Sequence, residues 1–127
     1  MADVVAIDDE PEWLQLYEHA LAEQGHSVRA VADGNEALRE LAERPPDAVI
    51  LDIRMAPSGR DIMRRIRRQW PGVPVIVSSA YAGYRNDPDF ERADAFLVKS
   101  ANVGELVEAV AHVLGRRSAA AGGDGNS

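Results

Sequence analysis

Asp8, Asp9, Asp52, Ser79 and Lys99 are far apart in the chain, yet each stands at the end of a short apolar run. Val4 to Ile7 leads into Asp8-Asp9, Ala48 to Leu51 into Asp52, Val73 to Val77 into Ser78-Ser79, and Ala95 to Val98 into Lys99. Three carboxylates brought to one place repel and raise each other's pKa unless a cation joins them. Mg²⁺ suits such a group, because it takes oxygen ligands, keeps several waters and binds one or two carboxylates together with phosphate oxygens. Asp52 would then be a nucleophile able to form an acyl phosphate. The metal and the Lys99 ammonium would neutralise the transferring oxygens, and the Ser79 hydroxyl would donate to the product. Lys99 is the sole lysine in a chain whose other basic side chains are arginines, which sets that position apart. An Asp-Asp pair alone reads as a helix N-terminus complementing its dipole. Asp52 and Lys99 move the balance to a metal and phosphoryl pocket.

The apolar runs are rich in β-branched residues and read as buried strands, with Val28 to Val31 completing a set of five. Helical patterns lie between them. Trp13, Leu14, Tyr17, Ala20 and Leu21 follow Pro11 at helical spacing, and Gly25 supplies a left-handed stop. Asp33 with Glu36 starts a second helix that Pro45-Pro46 ends, and Ser58 with Asp61 starts a third that stops before Pro71. Asn102 with Glu105 opens the last helix, and Gly115 closes it. Strands alternating with helices imply right-handed crossovers and an α/β doubly wound five-stranded parallel sheet with helices on both faces. Ligands of such sheets bind outside the carboxyl ends of the strands, where these five residues fall. The expected organisation is one domain over residues 1–115 and a disordered tail over 116–127, since that tail has no apolar periodicity.

Composition removes several classes of function. With no cysteine, the chain offers no disulfide, thiolate metal site or thiol nucleophile. A net charge of −7 disfavours direct binding of nucleic acid. No run is long enough for a membrane span, so a soluble cytoplasmic protein is expected. Arg64, Arg65, Arg67 and Arg68 form a basic run best read as the solvated face of the third helix, and His19, His26 and His112 share no ligand spacing.

Four blocks carry a resemblance to the receiver domains of response regulators, over roughly residues 3–115. They are Val4-Val5-Ala6-Ile7-Asp8-Asp9-Glu10, Pro46-Asp47-Ala48-Val49-Ile50-Leu51-Asp52, Pro74-Val75-Ile76-Val77-Ser78-Ser79-Ala80 and Ala93-Asp94-Ala95-Phe96-Leu97-Val98-Lys99. The resemblance implies the flavodoxin-like strand order 2-1-3-4-5 and a phosphoacceptor of a two-component or phosphorelay system, phosphorylated on Asp52. Asp9 and Asp52 would bind Mg²⁺ directly, with Mn²⁺ as a substitute; Asp8 would act through water, and the Arg54 carbonyl would be a further ligand. Ser79 and Phe96 would be the switch pair, reshaping the face of the fourth helix, fifth strand and fifth helix. Arg54 and Tyr81 would stand at the pocket mouth, where Arg54 is expected to pair with the phosphoryl group or with Glu10. The implied donor is a sensor histidine kinase or a histidine phosphotransfer protein, and the implied state is a monomer or weak dimer. Such a protein is not an enzyme beyond its own phosphotransfer and dephosphorylation.

The chain departs from that pattern at three places. The loop Met55-Ala56-Pro57-Ser58-Gly59 is one residue short. Ser100 replaces the usual proline after Lys99, so a trans bond is expected there. Gly83 and Asn86-Asp87-Pro88 interrupt any helical period over 81–94, which predicts a short, displaced or mobile fourth helix. These departures motivate a second reading, a receiver-like docking module that works without phosphorylation. A Mg²⁺-dependent phosphatase of the haloacid dehalogenase type is disfavoured, because Arg54 stands where its second aspartate belongs, and a phosphate-cradling loop is disfavoured by the acids that open the first helix.

Overall fold

Runs of Val, Ile and Leu buried on both faces form the three central strands of a parallel sheet, while its two edge strands stay partly exposed. The computed structural model describes residues 2–54, 59–80, 88, 93–99 and 102–126, with side chains described as far as Arg116. The elements run β1 (Asp3–Ile7), α1 (Pro11–Ala22), β2 (Ser27–Val31), α2 (Gly34–Glu43), β3 (Ala48–Asp52), α3 (Gly59–Gln69), β4 (Val75–Ser79), β5 (Ala95–Val98) and α4 (Val103–Asn126). Among the described residues α4 is therefore the helix that the sequence pattern counts as fifth. The five strands are parallel in the order β2-β1-β3-β4-β5, as expected.

Strand alternation divides the core in two. Val5, Ile7, Val49, Leu51, Val75 and Val77 pack with Leu38 and Leu41 of α2 and Ile62 and Ile66 of α3. Val4, Ala6, Ala48, Ile50, Ile76 and Leu97 face the other way, against Leu14, Tyr17 and Leu21 of α1 and Leu106 and Val110 of α4. Continuing this second series one step along each strand carries Asp8, Asp52, Ser78 and Lys99 to the upper edge of the α1/α4 face.

Local signals placed the helices well. Asp33 accepts from the Glu36 N–H at 2.9 Å and Asn102 from the Glu105 N–H at 2.9 Å, each as an N-cap. Gly25 has φ +87°, the left-handed stop after α1. Gly59 opens α3 so close to the Ile53 backbone that a Cβ there would lie 2.4 Å from the Ile53 Cα. On α3 the residues Ile62, Met63 and Ile66 are buried while Arg64, Arg65 and Arg68 are exposed, as a solvated basic face requires; Arg67 departs from it, half-buried and paired with Asp94.

Two boundaries differ from expectation. The fourth strand begins at Val75 and not Val73, because Pro74 has no N–H to give a ladder and Val73 is held in a turn by a bond to the Trp70 carbonyl. The last helix continues past Gly115 to Asn126, where Gly115 was expected to close it. Gly115 takes no left-handed conformation, and Ser118-Ala119-Ala120-Ala121 favours helix once the chain has not turned. The short loop over 55–58, the Lys99–Ser100 bond and nearly all of the atypical segment 81–94 lie outside the described residues. No helix among the described residues is long and apolar enough to cross a membrane.

Candidate functional site

The upper ends of β1, β3 and β5 bring their charged residues into one buried cluster. The Lys99 Nζ donates to Asp8 Oδ1 at 3.2 Å, to Asp52 Oδ2 at 3.1 Å and to Glu10 Oε1 at 2.7 Å, and it forms an ion pair with Asp8 Oδ2 at 2.9 Å. The Lys99, Asp8 and Asp52 side chains are 5%, 0% and 6% exposed, so the ammonium joins two acids that water scarcely reaches to the exposed Glu10. It also lies 5.5 Å from the centre of the Trp13 ring, whose face adds a cation–π attraction. Burial alone would pull the Lys99 pKa down; the bonds from Glu10, Asp8 and Asp52 outweigh it and hold the ammonium above its ordinary value.

Asp8 is shaped by the opposite balance. Burial pushes its carboxyl up to about 6, against the lowering effect of the Lys99 bond and of the Glu10 N–H, which donates to Oδ1 at 2.9 Å, and with the Asp52 charge adding to the rise. Asp52 is oriented from its own loop, where the Arg54 N–H donates to Oδ1 at 3.0 Å and leaves Oδ2 toward Lys99. Asp9 is exposed at the rim.

Asp8, Asp9, Glu10 and Asp52 each offer a carboxylate oxygen, and these atoms lie within 4.8 Å of one another. Oxygens on one octahedral Mg²⁺ stand at most about 4.2 Å apart, given Mg–O distances near 2.1 Å. The donor set therefore fits a hard divalent ion with a small closure or with water completing the shell.

Of the other residues singled out in the sequence, Ser79 is fully buried at the end of β4, with its carbonyl accepting the Lys99 N–H at 2.7 Å. Alternation puts its side chain on the α2/α3 face, where half-buried Phe96 also packs. The Arg54 side chain is exposed, and Tyr81 lies outside the described residues. Of the two partners expected for Arg54, the phosphoryl group or Glu10, Glu10 is engaged by Lys99. Glu10 caps α1 by backbone position with no side-chain cap bond, which leaves its carboxylate to reach across the cluster. Sequence reasoning also missed Tyr17 and Ser78. Their hydroxyls meet at 2.8 Å beneath the acids, and the Tyr17 OH points at Asp8 Oδ2 from 3.5 Å. Strand parity was the available signal, since Ser78 and not Ser79 shares a face with Asp52.

A family model of the response regulator receiver domain matches residues 4–111. The chain belongs to that family. The receiver is 37% identical over 121 residues to the transcriptional regulatory protein PrrA of Mycobacterium leprae, covering 93% of this chain and 52% of that one. It is 35% identical over 128 residues to the transcriptional regulatory protein KdpE of Mycobacterium tuberculosis, covering 95% and 54%. The chain thus spans about half the length of the curated relatives it matches. Among solved structures, the receiver superposes on the response regulator TrrA of Thermotoga maritima, a complex with Mg²⁺-BeF, with a TM-score of 0.84 and 35% identity over 89% of this chain and 99% of that one. Response regulator receivers generally signal and do not turn over substrates, and they interact with histidine kinases.

Proposed function

We propose that this receiver accepts a phosphoryl group on Asp52 in a Mg²⁺-dependent reaction, from the phosphohistidine of a sensor kinase or phosphotransfer protein or from a small acyl phosphate. The observation that carries the reading is the single ammonium of Lys99 bridging Asp8 and Asp52 in a buried cluster whose acids outnumber their cation. Asp9 and Asp52, with the Arg54 carbonyl, would hold the metal, which when bound supplies charge neutralisation to the phosphoryl oxygens. Mn²⁺, with the same preference for oxygen ligands, would substitute for it. Asp8 supports this set through water.

The chain's own groups do the rest. The Arg54 N–H holds Asp52 Oδ1, so Oδ2 is the oxygen free to attack phosphorus as the bond to the donor breaks. Lys99 already stands 3.1 Å from that oxygen and would follow the new charge onto the phosphoryl group. The Ser79 hydroxyl would donate to the same group, and Phe96 would take up the space that movement frees, so that the face formed by the segment 81–94, β5 and α4 as far as Gly115 changes. Arg54 and Tyr81 would tune the lifetime from the pocket mouth. The phosphorylated unit is residues 1–115, acting in the cytoplasm as a monomer or weak dimer, with 116–127 outside the switch.

Incubation with acetyl phosphate and Mg²⁺ followed by intact-mass measurement tests this. One phosphoryl group should be gained by the natural chain and none by Asp52→Asn. No gain in the natural chain would favour a docking module that works without phosphorylation.

A further inference from the structure

We infer that the Tyr17 hydroxyl, held in place by Ser78, is a positioning group for Asp8 that takes over from Lys99 when the site is loaded. The inference rests on the Mg²⁺-dependent phosphoacceptor reading and assigns a role to two residues which that reading leaves idle.

Tyr17 is 2% exposed on the α1 face that packs on the sheet, in one core cluster with Leu14, Leu21, Ile50 and Ile76, where a leucine would fill the space without a polar atom. A buried phenol needs a partner. Ser78, 1% exposed, supplies one at 2.8 Å. Each hydroxyl has one proton and accepts as well as donates. If Ser78 donates to the Tyr17 oxygen, the phenolic proton is aimed at Asp8 Oδ2, 3.5 Å away. That oxygen is at present served by Lys99 at 2.9 Å, so the Tyr17 contact is long and in reserve.

The cluster cannot keep that arrangement while it works. An ammonium that moves onto a phosphoryl group on Asp52 leaves Asp8 Oδ2, fully buried, without its cation. The only other described side-chain donor to that oxygen is Tyr17. A shift of about 0.8 Å would bring it into a charge-assisted hydrogen bond. Tyr17 and Ser78 thus allow Lys99 to leave without stranding a buried carboxylate, and they keep Asp8 turned for the water of the metal. The phenol's own ionisation has no part in this, since burial pushes its pKa far above any working pH.

The test compares the natural chain, Tyr17→Phe, Ser78→Ala and the double variant, well below each variant's melting temperature, for Mg²⁺ affinity by Trp fluorescence and for phosphorylation rate with acetyl phosphate. Tyr17→Phe should weaken Mg²⁺ binding by about tenfold and slow phosphorylation similarly, the scale of losing an outer-shell partner. Ser78→Ala should do the same more mildly, and the double variant should be no worse than Tyr17→Phe, because Ser78 acts through Tyr17. Unchanged affinity and rate in a folded Tyr17→Phe, with or without a lower melting temperature, would overturn the inference, and so would fully additive losses. A natural chain that bound no Mg²⁺ would instead overturn the reading beneath it.

Discussion

Lys99 Nζ and Asp52 Oδ2 stand 3.1 Å apart in a cluster that also ties Lys99 to Asp8 and Glu10. The lysine therefore does two jobs, neutralising buried acids before phosphorylation and neutralising phosphoryl oxygens after it. Those jobs separate by experiment.

Lys99→Ala should destabilise the metal-free protein by about 3 kcal/mol at neutral pH, since removing one partner of a buried pair leaves charge uncompensated. Denaturant melts with and without Mg²⁺ check this. Part of the loss should return with the metal, while phosphorylation by acetyl phosphate stays far below that of the natural chain. A variant as stable as its parent without Mg²⁺ would contradict the first job.

Asp8 gives the pH dependence. Its folded pKa of about 6 exceeds the ordinary 3.8, so between those values the folded state holds more protons than the unfolded chain. The contribution of this group to the stability of the metal-free protein should accordingly be greatest below about pH 4 and fall as pH rises to about 6. Mg²⁺ favours the ionised carboxylate, so its affinity should rise over the same interval. Mg²⁺ titrations from about pH 5 to pH 7.5 check the sign. Affinity that is flat or falls with pH would show that Asp8 is already ionised throughout.

Much of this was readable from residue order. Asp8, Asp9, Asp52 and Lys99 end apolar runs, and a parallel sheet has to bring such ends to one edge. Glu10 was not legible as a partner of Lys99, because a residue at a helix N-cap is expected to serve its own helix. Tyr17 hid for a different reason. At helical spacing among leucines an aromatic reads as core, and its hydroxyl matters only once register places Ser78 above it. Gly115 misled in the other direction, since glycine ends a helix only where the backbone turns left-handed, and here it stays helical.

Gly59→Ala should cost at least about 2 kcal/mol, because the new methyl would overlap the Ile53 backbone and the neighbouring strand end cannot yield freely. Chemical denaturation measures it. Since Ile53 follows Asp52 directly, a slower phosphorylation rate should accompany the loss. A substitution with no effect on stability would mean that α3 opens away from Ile53.

Asp94 provides a control far from the acids. Its Oδ2 accepts from the Val75 N–H at 2.8 Å and from Arg67 at 3.0 Å, joining β4, α3 and the approach to β5. Asp94→Ala should cost about 1–3 kcal/mol and leave Mg²⁺ affinity and phosphorylation rate unchanged. Altered Mg²⁺ affinity would couple the lower edge of the sheet to the pocket in a way that this geometry does not provide for.

The shared pocket is tested most directly by a crystal structure of the chain with Mg²⁺ and beryllofluoride. A divalent ion should sit on Asp9 and Asp52 and beryllofluoride on Asp52 Oδ2, with Lys99 Nζ swung from Asp8 onto a fluoride and the Tyr17 hydroxyl closed onto Asp8. An ion elsewhere, or a site that stays empty at saturating concentrations of both while Lys99 keeps its bridge, would contradict the phosphoryl pocket.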